Sequence, residues 1–126
     1  MWLLSAVIAG GCSVGDPGYV VAARNESDVP LVIRGDSAWL LPAHSGGILF
    51  ATVGPPREAR PIDFEVLDQR SCAVVGLQRM DFTLAPDPGF SQFILVVQAD
   101  RRIRIDALAA SDPELVGSLD PTAACP

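Results

Sequence analysis

The chain reads as all-β: an antiparallel β-sandwich of immunoglobulin-like architecture, with about eight strands and a short C-terminal helical turn. Three observations predict it. Short apolar runs alternate with polar residues at the two-residue period of a strand. Eleven prolines and eleven glycines fall between those runs, so a turn signal recurs roughly every 8–12 residues. No stretch sustains the 3.6-residue period of a long helix. A small β-barrel is the second architecture compatible with this pattern.

The fold is organised around Pro61–Leu77. Ile62, Phe64 and Val66 alternate with Asp63 and Glu65, which gives a strand with one buried face. Asp68–Ser71 supplies a polar reversal and a second apolar run opens at Cys72, so the stretch predicts a β-hairpin with the other strands packed over it. Upstream, Tyr19–Ala23 is β-prone, Asn25–Asp28 makes a turn, and Val29–Ile33 resumes the strand pattern, with Pro30 placing its start at an edge. Gly35–Ser37 turns again. Ala38–Leu41 follows, with Trp39 and Leu41 on one face, stopped by Pro42. Ala43–Gly47 reads as a flexible turn into Ile48–Val53, and Gly54–Arg60 is the most loop-like stretch of the chain.

Downstream, Met80–Leu84 alternates as a strand and Ala85–Gly89 breaks it. Phe93–Val97 is continuously apolar, the pattern of a strand covered on both faces. Asp100–Arg102 turns into Ile103–Ala107, which alternates once more. Ser111-Asp-Pro-Glu114 carries helix-start residues ahead of Leu115, Val116 and Leu119, while Gly117 and Pro121 limit the helix to about one turn. The tail from Thr122 to Pro126 is expected to float free unless Cys125 holds it. Trp39 precedes both Cys72 and Cys125, so the Cys…Trp…Cys order of a true immunoglobulin domain is absent.

At 126 residues there is room for one domain. The formal charge of −6 repels phosphate, which argues against nucleic acid and against charge-driven binding to anionic lipid. All nine basic residues are arginine, as a GC-rich codon bias produces.

Residues 2–9, WLLSAVIA, are too short to span a bilayer, which takes about 20 apolar residues, but suit the core of a secretory signal. Ala9-Gly10-Gly11-Cys12 resembles the lipobox of bacterial lipoproteins, whose cysteine is lipidated and becomes the new amino terminus; Ala9 stands where that family usually has Leu, Val or Ile. In general build the chain resembles the uncharacterised small exported lipoproteins of GC-rich bacteria. The resemblance implies a signal peptide over 1–11, a lipidated tether over 12–18 and a β-sandwich domain over 19–126. It also implies an exported protein held to the cell membrane, facing outward, through a lipid on Cys12. That lipid would leave Cys72 and Cys125 as one pair, closing a loop of about 54 residues. The alternatives are an ordinary signal that removes Cys12, or a bond between Cys12 and another cysteine.

No residue set compels an enzymatic reading. His44, with Ser45 beside it and Asp36 upstream, suggests a hydrolytic triad, but adjacent side chains of an extended chain point to opposite faces, and no GxSxG elbow exists. Asp63, Glu65 and Asp68 suggest paired carboxylates, yet Asp63 and Glu65 share the strand face where any one-sided sheet keeps its solvated charges. Metal binding is not expected: the chain has no CxxC, no DxDxDG loop and one histidine, and Met80 is the lone methionine after the leader. Asn25-Glu-Ser27 matches a glycosylation acceptor by letters, and Arg101–Arg104 is a basic run bracketed by Asp100 and Asp106. No cofactor is expected. The expectation is a non-enzymatic, surface-tethered binding or accessory module for an unknown protein, glycan or small-molecule ligand. Its contact candidates lie on sandwich-end loops, at Arg57, Glu58, Arg60 and Asp87. A small exported hydrolase using carboxylates near the hairpin is the alternative.

Overall fold

The computed structural model describes residues 18–84, 90–108, 115 and 117–126. Cys12, Asp87, the leader and the tether up to residue 17 lie outside the described residues, as does the start of the expected helical turn at 111–114. Among the described residues there are eight strands: β1 (Gly18–Asn25), β2 (Leu31–Arg34), β3 (Ala38–Leu41), β4 (Ser45–Val53), β5 (Ile62–Asp68), β6 (Val74–Met80), β7 (Phe90–Val97) and β8 (Ile103–Leu108). They form two four-stranded sheets, ordered β4-β1-β7-β8 and β3-β2-β5-β6. The fold is therefore the expected all-β sandwich. All ladders are antiparallel except β1 on β7, which runs parallel from Gly18↔Phe90 to Asn25↔Val97.

The core follows from the alternation. Val21, Ala23, Leu31, Ile33, Phe64, Val66, Phe93, Leu95 and Val97 fill the space between the sheets, with Leu41 from β3, Leu49 from β4, Met80 from β6 and Phe82. Asp63 and Glu65 face outward, as their strand pattern requires. β7 is buried on both faces: Ile94 and Val96 join Ala22 and Leu115 in a second cluster on the outer side of the first sheet. A third cluster, Val32, Leu67 and Cys125, lies on the outer side of the second sheet.

The C-terminal segment explains those outer clusters. Ser118 forms a parallel bridge to Ile48, and Pro121 an antiparallel bridge to Trp39. The Ile48 amide donates to the Gly117 carbonyl (2.7 Å) and the Leu119 amide to the Ile48 carbonyl (2.8 Å). Leu40 donates to the Asp120 carbonyl, and Thr122 donates to the Ala38 carbonyl, both at 2.9 Å. Residues 117–126 thus wrap the side of the sandwich where β4 and β3 are edge strands, and end on the Cys72–Cys125 disulfide. Backbone bonds hold the tail alongside the Cys125 disulfide. Its described residues 117–121 are bridged and bent, not helical.

Four further expectations change. Ser45–Gly47 belongs to β4 and is not a turn. Phe82–Leu84 forms a 3₁₀ turn instead of continuing a strand; the Asp81 carboxylate accepts the Thr83 amide (3.0 Å) and hydroxyl (2.7 Å), so local side-chain bonding overrides alternation. β2 is an inner strand, and Pro30 stands just before it, where its missing N–H costs no ladder bond. The β5–β6 hairpin forms, but β6 lies at an edge of its sheet, not at the centre of the fold.

Candidate functional site

One end of the sandwich holds an open depression of about 370 Å³, lined by Arg24, Asn25, Glu26, His44, Ser45, Gly46 and Leu115. Its floor is set by the end of β1, where Asn25 is buried (1% exposed) and fully bonded. The Asn25 amide donates to the carbonyls of Val29 (2.7 Å) and Leu41 (3.2 Å), while its Oδ1 accepts the Ser27 amide (2.9 Å) and hydroxyl (2.7 Å). These bonds join the end of β1, the following turn and the end of β3. The side-chain nitrogen that glycosylation would require is consumed inside the fold, so the Asn25-Glu-Ser27 letters mark a structural knot.

His44 sits at the rim with φ of 52°, a left-handed turn position. Its Nε2 meets the Asp28 carboxylate at 2.5 Å, both side chains being largely exposed. Ser45 Oγ donates to the Pro42 carbonyl at 2.7 Å. Serine and histidine are therefore committed to different partners, and the carboxylate on His44 is Asp28; Asp36 stays in the turn between β2 and β3. The depression brings a guanidinium, a carboxylate and an imidazole together around the apolar side chain of Leu115, charged and polar groups bordering an apolar surface.

The described loop candidates, Arg57, Glu58 and Arg60, fall at the other end. Gly18 pairs with Val53 and Asn25 with Ser45, so Gly54–Arg60 is separated from the depression by the length of β1, roughly 23 Å. Within that loop Pro56–Glu58 is a 3₁₀ turn anchored by buried Pro56, and it packs against the Phe82–Leu84 turn. Arg57, Glu58 and Arg60 are exposed upon it. Beneath lies an aromatic triangle, with Tyr19 and Phe93 each 4.9 Å from the Phe82 ring. Burial raises the Tyr19 hydroxyl above its ordinary pKa.

Asp63 and Glu65 lie on the outer face of the second sheet, and Asp68 caps the turn between β5 and β6. Asp63 takes a two-pronged bond from Arg79 (2.8 and 3.1 Å), and that hydrogen bonding holds its carboxyl below the usual range. Glu65 is bonded by Arg34 at 2.8 Å, whose guanidinium also donates to the carbonyls of Cys125 (3.0 Å) and Pro126 (3.3 Å). Asp68 accepts the amides of Ser71 and Arg70, and these bonds hold its carboxyl below the usual range. A general acid at neutral pH needs a raised pKa; Asp63 and Asp68 are shifted the opposite way.

Two features are not legible in the sequence. The depression was hidden because Arg24 and Leu115 are far apart in sequence and meet only through the C-terminal wrap. The other is on β6: Val74, Val75 and Leu77 are exposed, Leu77 at 72%. Their apolar run resembles a buried strand by letters, whereas the register puts Leu77 opposite Glu65 on the outer face. Among the described residues no group of three His, Cys, Asp or Glu side chains comes together to hold a metal ion, and no helix is long and apolar enough to cross a membrane. No family model and no curated protein matches this chain.

Proposed function

We propose that the chain is an exported, surface-tethered, non-enzymatic domain acting as a binding or accessory module, anchored through a lipid on Cys12. The observation that carries this reading is the Cys72–Cys125 disulfide. Such bonds persist outside the reducing cytosol, and this one uses two of three cysteines, leaving Cys12 for the lipid that the lipobox-like AGGC invites. The commitment of Ser45 to Pro42, of Asp63 to Arg79 and of Glu65 to Arg34 supports binding over hydrolysis. Ligand contact belongs to the two sandwich ends: the depression beside His44 for a small polar ligand, and Arg57, Glu58 and Arg60 for a protein or glycan.

Intact-mass measurement of the protein from its native host, without reductant, tests this. The expected species begins at Cys12, carries a diacylglycerol with or without a further acyl chain, and is two hydrogens lighter than its reduced form. A chain that retains its first eleven residues and has three free thiols sinks the proposal.

A further inference from the structure

We propose that residues 117–126 form a detachable strap, and that Cys72–Cys125 is a thiol–disulfide exchange site controlling whether the strap is docked. A disulfide acts as a latch when what it holds can leave without opening the core, and when a reductant can reach one of its sulfurs.

The first condition is met by where the strap binds. Its backbone–backbone hydrogen bonds go to the outer edges of β3 and β4, at Ala38, Leu40 and Ile48, and to no ladder inside either sheet, while the Arg34 side chain of β2 donates to the carbonyls of Cys125 and Pro126. The cluster between the sheets comes from β1–β7 and Phe82; of the strap only Leu119 packs against it, partly buried. Cys125 instead covers Val32 and Leu67 on the far side of the second sheet. Once the bond is cut, edge hydrogen bonds, the Arg34 contacts and the apolar contacts of Leu119 and Cys125 are what oppose the conformational entropy of the segment.

The second condition is met by an asymmetry between the sulfurs. Cys125, on the strap, is 2% exposed, whereas Cys72 is only half-buried and sits in the Asp68–Ala73 turn between exposed Ser71 and Ala73. A thiolate of an external dithiol attacks the Cys72 sulfur, forms a mixed disulfide there and expels Cys125 as a thiolate, which takes a proton from water. The second thiol of the reductant then closes its own disulfide and releases Cys72, which is protonated in turn. Two electrons and two protons pass to the pair, and the dithiol is oxidised. The strap leaves with Cys125, Arg34 keeps Glu65, and the edges of β3 and β4 are uncovered.

Amide hydrogen exchange on the full chain, oxidised and then reduced with dithiothreitol, is the test. In the reduced protein the amides of Leu40, Ile48, Leu119 and Thr122 are expected to exchange within roughly tenfold of an unstructured chain, while those inside β5 and β7 stay protected by roughly a thousandfold or more. Cys125→Ser is expected to give the same pattern without reductant. The proposal is overturned if the strap amides keep their protection, if β5 and β7 lose theirs together with the strap, or if dithiothreitol leaves the bond intact in the folded protein.

Discussion

Asn25 shows how much one side chain can determine. A buried amide with unmet donors or acceptors costs more than the bonds it makes are worth, so an asparagine survives at the end of β1 only because all of its groups are used. Two carbonyls, an amide and a hydroxyl answer it, from Ser27, Val29 and Leu41. Ser27 extends the knot by accepting the Val29 amide at 3.3 Å and, through its carbonyl, the His44 amide at 3.3 Å. The rim of the depression is thereby fixed through the backbone of His44, independently of its exposed ring. Asn25→Ala strands the Val29 and Leu41 carbonyls and is expected to cost about 2–4 kcal/mol, measured as a lower urea midpoint at unchanged slope. A loss below about 1 kcal/mol would mean that water takes over the knot and that Asn25 does not set this rim.

Among the elements, β4 shows where the letters of the sequence mislead. Ser-Gly-Gly resembles a flexible turn, yet Gly46 and Gly47 lie in a strand because another part of the chain passes over them. A Cβ on Gly46 would stand 2.7 Å from the Leu115 side chain and 2.9 Å from the Ala23 carbonyl oxygen; one on Gly47 would stand 2.9 Å from the Gly117 carbonyl oxygen. Glycine in a strand interior signals close backbone approach, but no local pattern names the approaching segment, here some seventy residues away. Local chemistry did reveal β3, the β5 alternation, doubly covered β7 and β8, since their burial follows directly from period and run length. It failed where a distant partner decides: the parallel pairing of β1 with β7, the edge position of β6, and the depression. On β6 the exposed Val74, Val75 and Leu77 lie along an edge where the register with β5 slips between Val66 and Leu67, and bulges of this kind spoil an edge as a template for further strands. Gly47→Ala is expected to cost about 1–3 kcal/mol by pushing the strap outward. Gly117→Ala, with nothing within 4 Å of its new Cβ, should stay within about 0.5 kcal/mol. Thermal melts of the two variants side by side check the contrast; equal effects would show that strap clearance is not what Gly47 provides.

For the whole molecule, topology and covalent chemistry act together. The parallel β1–β7 ladder joins segments about seventy residues apart, so the first sheet cannot close until most of the chain is in place, and such non-local pairings fold slowly. The disulfide links positions 53 apart, which the chain-entropy model values at roughly 4 kcal/mol, acting chiefly on the unfolded ensemble. Domains of this size have net stabilities of about 5–15 kcal/mol, so a chain without the bond should still fold, with a much thinner margin. The double variant Cys72→Ala/Cys125→Ala is therefore expected to lose about 4 kcal/mol in urea unfolding, and its slope should rise because the unlinked chain exposes more surface when it opens. Ala at position 72 must also adopt the left-handed φ of 58° that Cys72 holds, which favours glycine. Cys72→Gly/Cys125→Ala separates the two effects: it should recover about 1 kcal/mol of backbone strain and none of the cross-link. A slope unchanged by loss of the bond would mean that the unfolded chain is already compact, and the bond's contribution would then have to be sought in the folded state, in the packing of Cys125 on Val32 and Leu67.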